Sequence, residues 1–246
     1  MMEERLDTSR RSVFMAGVHD GVPIALGYFV VAFTLGILAK TAGLTPWQGF
    51  VTSAVNIASA GEYAGFTVIA AQAPYLEIAV LTLVANARYF LMAAALTQRF
   101  APETSLLHRL AVSFGVTDEI FGITVARGGA LNPYYNYGAM AISVPAWAAG
   151  TSAGILAGGI LPSAVVSALS VALYGMFVWV VLPAAKRSRP IGGMVLASCV
   201  LSLAATYAPV TSELSGGTRT ILLTLLIAGV GAALFPIDTE QEEDHA

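Results

Sequence analysis

The chain has 246 residues, of which 57% are hydrophobic and 11% are charged, and its formal net charge is −3. An ordinary soluble domain is about 45–50% apolar and about 25% charged, so this chain lacks the polar surface of a soluble globule. A cytosolic enzyme and a secreted disulfide scaffold are thereby excluded, and the negative charge argues against a nucleic-acid partner. The sequence predicts an all-α, polytopic helical membrane protein.

Long apolar runs predict seven membrane spans joined by short connections, after a cytoplasmic or interfacial segment at residues 1–17. In chain order the spans are Val22–Ala39, Pro46–Ala71, Leu76–Leu96, Tyr137–Ala157, Pro162–Leu182, Ile191–Tyr207 and Thr220–Phe235. Leu110–Ala126 is an eighth candidate, but Asp118 and Glu119 lie in its middle. It is therefore predicted either as a span or as a half-helix that dips into the protein. Residues 237–246 form an acidic tail.

Two pairs of similar stretches predict an internal repeat with broken helices. Arg11–Asp20 resembles Arg109–Asp118, and Gly36-Ile-Leu-Ala39 recurs as Gly154-Ile-Leu-Ala157. The alternative is chance similarity in an apolar chain of low diversity. The predicted units are a first repeat at 18–97, a second at 108–209 and a final span at 218–236. Transporters built from repeats hold their substrate near the membrane midplane.

Lysine and arginine residues do not decide the orientation of the chain. With eight crossings and a cytoplasmic N-terminus, seven of these residues fall inside and four outside, and seven crossings with an external N-terminus give the same division. The positive-inside rule therefore favours neither orientation. Only the cluster Lys186–Arg189 is predicted to be cytoplasmic in both alternatives.

Glu62 is the only charged residue in the run from Pro46 to Ala71. Charged groups in hydrocarbon are costly and usually face an interior cavity. The neighbouring Gly61 and Gly65 weaken the helix, and a helix broken here would present free backbone groups to a ligand. The alternative is a packing face formed by the two glycines, with Glu62 protonated or hydrogen-bonded.

Three other places in the predicted spans or at their mouths carry charge. Arg88 stays ionised and needs an anionic partner, which could be Glu62, Asp118, Glu119 or a substrate carboxylate; alternatively it reaches water at the interface. Asp118 and Glu119 are proton-carrier candidates, with helix capping as the alternative. Asp20 is predicted either to cap the first span or to share the role of Asp118 through the repeat.

The sequence Gly150-Thr-Ser152-Ala-Gly154 fits the G-x-S-x-G pattern of hydrolase nucleophiles. That motif requires a strand–turn–helix elbow and a histidine base, whereas here it lies in an apolar run. Gly150, Gly154 and Gly158 instead recur every four residues, which predicts a seam for a neighbouring helix. The protein is accordingly predicted not to be an enzyme, and no metal or cofactor is expected.

Several motifs together resemble the AzlC-type branched-chain amino acid permeases. They are Asp20-Gly-Val-Pro-Ile-Ala-Leu-Gly-Tyr-Phe, Asn86-Ala-Arg88-Tyr-Phe-Leu-Met, Phe114-Gly-Val-Thr-Asp118-Glu119, and Leu131-Asn-Pro-Tyr. The resemblance implies export of branched-chain amino acids and a second, much smaller membrane subunit of the AzlD type. The family's Ser-Ala-Gly-Gln-Phe element corresponds to Ser59–Tyr63, where Glu62 replaces the usual Gln and Tyr63 the usual Phe. A carboxyl group can titrate and an amide cannot, so this departure bears on substrate and coupling.

These observations predict a secondary transporter in the inner membrane of a bacterium, exporting branched-chain or other aliphatic amino acids and coupled to protons. The alternative is a non-transporting membrane scaffold subunit. The predicted substrate-binding residues are Asn56, Ser59, Gly61, Glu62, Tyr63, Asn86 and Arg88. The predicted proton-coupling residues are Glu62, Asp118, Glu119 and Asp20. The expected partners are an AzlD-type subunit, the amino acid substrate and the lipid bilayer, and no nucleic acid.

Overall fold

A computed structural model of the chain describes residues 2–127, 129–162, 188–209, 211 and 214–235, with scattered positions between 164 and 186, and only the backbone of residues 2–9. This part contains ten complete helices and no β-strand apart from one isolated bridge. The described residues are therefore all-helical, as predicted, and they include helices long and apolar enough to cross a membrane.

The first helix, α1 (Met2–Thr41), packs along α8 (Pro133–Ala157), and the two helices run in the same direction. Glycines let the two backbones approach closely because they carry no Cβ atom. Gly17 lies against the carbonyl of Tyr135, and Gly36 lies against that of Thr151. Gly154 in turn lies against Phe33, which confirms the predicted glycine seam. We call the end of the bundle beside Tyr135 the near end, and the end where α1 and α8 finish the far end.

Helix α2 (Pro46–Val55) enters the protein from the far end. Thr45 and Gln48 form a capping box at its start, and the carbonyl of Pro46 accepts a hydrogen bond from Ser152 Oγ (3.1 Å). The helix stops at Asn56, and α3 (Ser59–Ala70) begins three residues later.

Helices α4 (Tyr75–Ala85) and α5 (Ala87–Gln98) form one long segment that is bent by 45° at Asn86. Its last residues lie at the near end, where Arg99 donates to the carbonyl of Gly129 (2.9 Å). Tyr75 is therefore at the far end. Because α3 runs antiparallel to α4, with Gly61 beside Asn86, α3 also finishes at the far end. Helices α2 and α3 thus form a hairpin that enters and leaves at the far end, and the predicted crossing Pro46–Ala71 is wrong.

A second hairpin enters from the near end. Helix α6 (Leu106–Phe114) begins there, where His108 Nδ1 lies 2.7 Å from the hydroxyl of Tyr137. Helix α7 (Asp118–Ala126) returns to the same end, where Arg127 lies 3.9 Å from the carboxylate of Asp20. Of the two predictions for Leu110–Ala126, the half-helix that dips into the protein describes this segment, although it contains two short helices.

The last two complete helices, α9 (Arg189–Tyr207) and α10 (Gly216–Leu234), are antiparallel. Arg219 at the start of α10 donates to the carbonyl of Ala205 near the end of α9 (3.3 Å). The start of α10 lies at the far end, because Ser215 is hydrogen-bonded to Glu77 of α4. None of the described residues of α9 is buried.

The described part does not confirm seven or eight crossings. Four helices, α1, α8, α9 and α10, are long and apolar enough to cross a membrane, and the bent pair α4–α5 would be a fifth. Most of the predicted span Pro162–Leu182 and all of the acidic tail at 237–246 lie outside the described residues. The internal repeat is not confirmed either. The two Gly-Ile-Leu-Ala copies face each other across α1 and α8, whereas Arg11–Asp20 is continuous helix and Arg109–Asp118 contains a break.

Candidate functional site

The tips of the two hairpins meet at about half the depth of the bundle. The tip of the first is the break at 56–58, and that of the second is the break at 115–117. Each break leaves the N-terminus of a helix, α3 or α7, beside the same central space. Helix N-termini carry unpaired N–H groups and a partial positive charge, which favours anionic groups.

We call the space between the tips the central cavity. It is lined by Tyr28, Val31, Ile57, Ser59, Tyr89, Thr117, Asp118, Glu119 and Trp147. Its volume is about 50 Å³, room for no more than one or two waters, since a water takes about 30 Å³ in the liquid. Pockets that hold drug-sized ligands measure about 300–1,000 Å³. The central cavity is therefore too small in this structure to hold an amino acid.

Arg88 and Asp118 form an ion pair beside the central cavity, with Arg88 Nη1 2.7 Å from Asp118 Oδ2. Of the partners predicted for Arg88, the structure thus places Asp118 against it. The two side chains are 40% and 43% exposed, and Arg88 Nη2 donates to the hydroxyl of Tyr89 (3.1 Å). Arg88 Nε is buried and has no hydrogen-bond partner among the described residues. The guanidinium therefore keeps donor capacity that its present partners do not use.

Glu119 faces α1 instead of Arg88. The hydroxyl of Tyr28 donates to Glu119 Oε2 (2.6 Å) and is also hydrogen-bonded to Thr117. Thr117 caps α7, because its side chain accepts from the N–H of Ile120 (3.3 Å). These contacts fix the second tip against α1, so the adjacent acids Asp118 and Glu119 point to different partners.

Glu62 is 1% exposed and lies away from the ion pair, in the first turn of α3. Trp147 Nε1 donates to one of its carboxyl oxygens (2.6 Å), and Ser53 Oγ donates to the other (2.7 Å). Ser53 Oγ also lies 2.7 Å from Thr151 Oγ1. The carboxyl group therefore joins the first hairpin to α8. The adjacent Gly61 and Gly65 face α4, and Glu62 is hydrogen-bonded, as the packing-face alternative predicted. Glu62 does not line the central cavity.

The first hairpin is also joined to the bend between α4 and α5. Asn86 Nδ2 donates to Asn56 Oδ1 (2.8 Å), so a residue at one helix break is bonded to a residue at another. Asn86 Oδ1 is buried without a hydrogen-bond partner in the described part of the chain. A side chain at Gly61 would overlap this carboxamide.

The remaining predicted residues are spread over three places. Ser59 lines the central cavity, whereas Tyr63 lines a larger cavity at the far end. Asp20 is at the near end, where it accepts from the hydroxyl of Tyr135 (2.8 Å) and lies 3.1 Å from His19. It lies inside α1 and does not cap a helix. The structure therefore does not bring Asp20 to the central cavity with Asp118.

Sequence analysis missed four residues that complete the site, namely Tyr28, Ser53, Trp147 and Thr151. Ser143, Trp147 and Thr151 recur every four residues on α8 and are all buried. This polar stripe on a predicted span could have indicated that α8 contributes to the site. The sequence around Ser53 and Tyr28 contains no such signal, because these residues join the site through contacts with helices that are distant in the sequence. Among the described residues no cluster of side chains suits a metal ion.

Comparison with known proteins gives three matches. Residues 23–161 match the family described as AzlC protein. The chain is 30% identical over 196 residues to an uncharacterized membrane protein of Archaeoglobus fulgidus, covering 76% of this chain and 84% of that protein. It is 29% identical over 186 residues to the inner membrane protein YgaZ of Escherichia coli (strain K12), covering 72% of this chain and 76% of that protein. No solved structure matches.

Proposed function

The chain belongs to the AzlC family, and from that premise we propose that it is a secondary transporter. Its cargo would be branched-chain or other aliphatic amino acids, exported across the inner membrane of a bacterium. The proposal includes no covalent step, so the protein would not be an enzyme.

One observation carries the proposal: two helix N-termini and an ion pair surround a small cavity at mid-depth. Broken helices that aim their ends at a midplane site are the usual substrate site of secondary transporters. A zwitterion carries one carboxylate and one ammonium group. Arg88 and Asp118 offer one charge to each of them, with helix N-termini nearby for the carboxylate.

In the proposed cycle the substrate exchanges with the internal ion pair. Its carboxylate takes the place of Asp118 on Arg88, and its ammonium group binds the released Asp118. Both of these side chains are partly exposed beside the cavity. The substrate would give each charged side chain a new partner of opposite charge, so neither would be left unpaired at mid-depth. The central cavity must widen to admit the substrate.

Selectivity among aliphatic amino acids would be broad. Ile57 and Val31 line the central cavity beside the charged groups and would receive the side chain. Aliphatic pockets separate substrates that differ by one methylene only about 10–200-fold.

Proton coupling is the second part of the proposal. Glu62, Asp118 and Glu119 are carboxyl groups inside the bundle, and Glu62 is held by donors from α2 and α8. Loss or gain of a proton at Glu62 would change the bonds that fix the first hairpin. If amino acid export persists unchanged when the proton gradient is collapsed, this part is wrong.

We propose that the near end faces the cytoplasm. Arginines gather there, whereas Lys40 and Arg219 are at the far end. The near-end arginines are Arg10, Arg11, Arg99, Arg109, Arg127 and Arg189. Cytoplasmic ends carry the excess of such residues, so the two hairpins would enter from opposite faces of the membrane. Cysteines introduced at Ala101 and Thr41 should react with an impermeant reagent from the inside and the outside, respectively.

The AzlD-type small subunit remains part of the proposal as a partner. The alternative function is a non-transporting scaffold that holds such a partner. The observation in its favour is that Arg88 and Asp118 already pair with each other, as a purely structural ion pair would.

Transport of labelled leucine by the full chain in liposomes, with and without the small subunit, tests the proposal. Arg88→Gln should abolish transport. The exchange of the two charges, Arg88→Asp with Asp118→Arg, keeps an ion pair but moves the cation to another helix. A scaffold should recover its partner binding in this double variant, whereas a transporter should stay inactive. Unchanged transport in Arg88→Gln would refute the proposed site.

A further inference from the structure

We propose that a second binding site for the amino acid cargo lies at the far end, where Arg219 binds its carboxylate and Glu77 its ammonium group. This inference rests on the proposed function for the class of ligand. It concerns a cavity that is separate from the central one, which we call the far-end cavity.

The far-end cavity lies between α3, α4, α9 and α10 and has a volume of about 760 Å³. That volume is within the range of ligand pockets, about 300–1,000 Å³. It extends from the turns at Gln72 and Ser215 to Ala60 and Ala85, beside the helix breaks. Unlike the central cavity, it can hold an amino acid without any movement of the helices.

Glu77 and Arg219 bring opposite charges into this cavity. Glu77 is held in place, because its Oε1 accepts from the N–H of Thr218 (3.1 Å) and from the hydroxyl of Ser215. The Arg219 guanidinium donates to the carbonyl of Ala205 (3.3 Å). No carboxylate of the described residues lies within ion-pair distance of it.

The position of Arg219 is unfavourable for helix stability. It lies in the first turns of α10, where the partial positive charge of the helix N-terminus repels a cation. Glu77 already accepts from the N–H of Thr218 at this N-terminus, so a bound carboxylate would pair with the Arg219 guanidinium and neutralise its charge.

The rest of the lining suits an aliphatic amino acid. Leu81, Val84 and Val68 form an apolar surface, and hydroxyl groups of Thr206, Thr220 and Thr224 lie opposite on α9 and α10. Polar groups fix the orientation of a small ligand, while the apolar majority of a pocket accepts its body.

The far-end cavity and the central cavity are neighbours. Ala60 lines the first and Ser59 the second, and the contact between Gly61 and Asn86 lies beside both. The far-end site would thus hold the cargo on the outer side of the central site, between the midplane and the far-end exit.

Binding of labelled leucine to the full chain in lipid nanodiscs tests the inference. In Arg88→Gln, which disables the central site, binding to the far-end site should persist. Adding Arg219→Gln should weaken that remaining binding about tenfold or more, a loss of about 1.4 kcal/mol. Lys40→Gln is the matched control, since Lys40 is a far-end cation outside the cavity, and it should change nothing.

The outcomes separate the two proposals. If, in the Arg88→Gln background, Arg219→Gln binds leucine as Lys40→Gln does, the far-end site is refuted, while the central site is judged separately by transport in Arg88→Gln. If the unmodified chain neither binds nor transports leucine, the proposed function is refuted, and the far-end site is refuted as well because its ligand is inferred from that function.

A second measurement does not depend on the arginine variant. In a Cys199→Ala background, Thr220→Cys places a thiol in the cavity and Thr41→Cys places one outside it at the same end. Leucine should slow modification of the thiol at position 220 about tenfold at ten times its dissociation constant, and leave that at position 41 unaffected. Equal rates with and without leucine at position 220 would overturn the inference.

Discussion

Replacing Gly61 by alanine should separate the first hairpin from the bend between α4 and α5. A methyl group at this position would lie 2.6 Å from Nδ2 and 2.8 Å from Cγ of Asn86. The Asn86 carboxamide cannot simply turn away, because its Nδ2 donates to Asn56. The variant must therefore move Asn86 and lose that hydrogen bond.

The expected loss of stability combines two costs and one gain. A net hydrogen bond contributes about 0.5–1.5 kcal/mol, and forcing a methyl group into a packed contact costs about 1–3 kcal/mol. Alanine gains about 0.5–1 kcal/mol over glycine inside a helix. We expect Gly61→Ala to lower the free energy of unfolding by about 0.5–4 kcal/mol.

Gly65→Ala is the matched control on the same face of α3. Its methyl group would lie 3.5 Å from Thr82 Oγ1, an ordinary contact, so it should be neutral or stabilise the protein by up to about 1 kcal/mol. Equilibrium unfolding in mixed micelles, followed by circular dichroism, measures both variants. The double variant Gly61→Ala with Asn86→Ala should be no less stable than Asn86→Ala alone. If Gly61→Ala is as harmless as Gly65→Ala, or still costs as much without the Asn86 side chain, the reasoning is refuted.

Two further variants test the contacts of α8. Trp147→Phe leaves one oxygen of Glu62 buried without its donor, which should cost about 1–3 kcal/mol of unfolding free energy. If Trp147→Phe destabilises a Glu62→Ala protein as much as it destabilises the unmodified protein, this reason is wrong. Gly36→Ala places a methyl group on the carbonyl of Thr151 and should cost about 1–3 kcal/mol in the same unfolding assay. Gly27→Ala, where nothing lies within 4 Å of the added atom, is its control and should not destabilise.

The sequence predicted the apolar helices well where each is one continuous element. Val22–Ala39 lies in α1, Tyr137–Ala157 in α8 and Ile191–Tyr207 in α9. The error at Pro46–Ala71 has a physical reason. A run of 26 residues is long enough for one crossing, but it is equally long enough for two half-length helices that return to the same end.

The candidate site was predicted in part because charge is costly in hydrocarbon. That cost singled out Glu62, Arg88, Asp118 and Glu119, and the structure places the last three at one cavity or its rim. Their partners could not be predicted in this way. Tyr28 is separated from Glu119 by 91 positions and Trp147 from Glu62 by 85. A tyrosine or tryptophan also has a small free-energy cost in a membrane span, so neither residue stood out in the sequence.

By itself, the amino-acid sequence determined that this is a helical membrane protein with a few polar groups inside it, because the free energy of transfer of a segment to hydrocarbon depends mainly on which residues it contains and where they lie in it. Only the tertiary structure decided that two segments turn back at mid-depth and meet. The direction of a short helix after a break is set by what it packs against. Here those surfaces are the glycine seam of α1 and α8 and the bend at Asn86, which lie far apart along the chain.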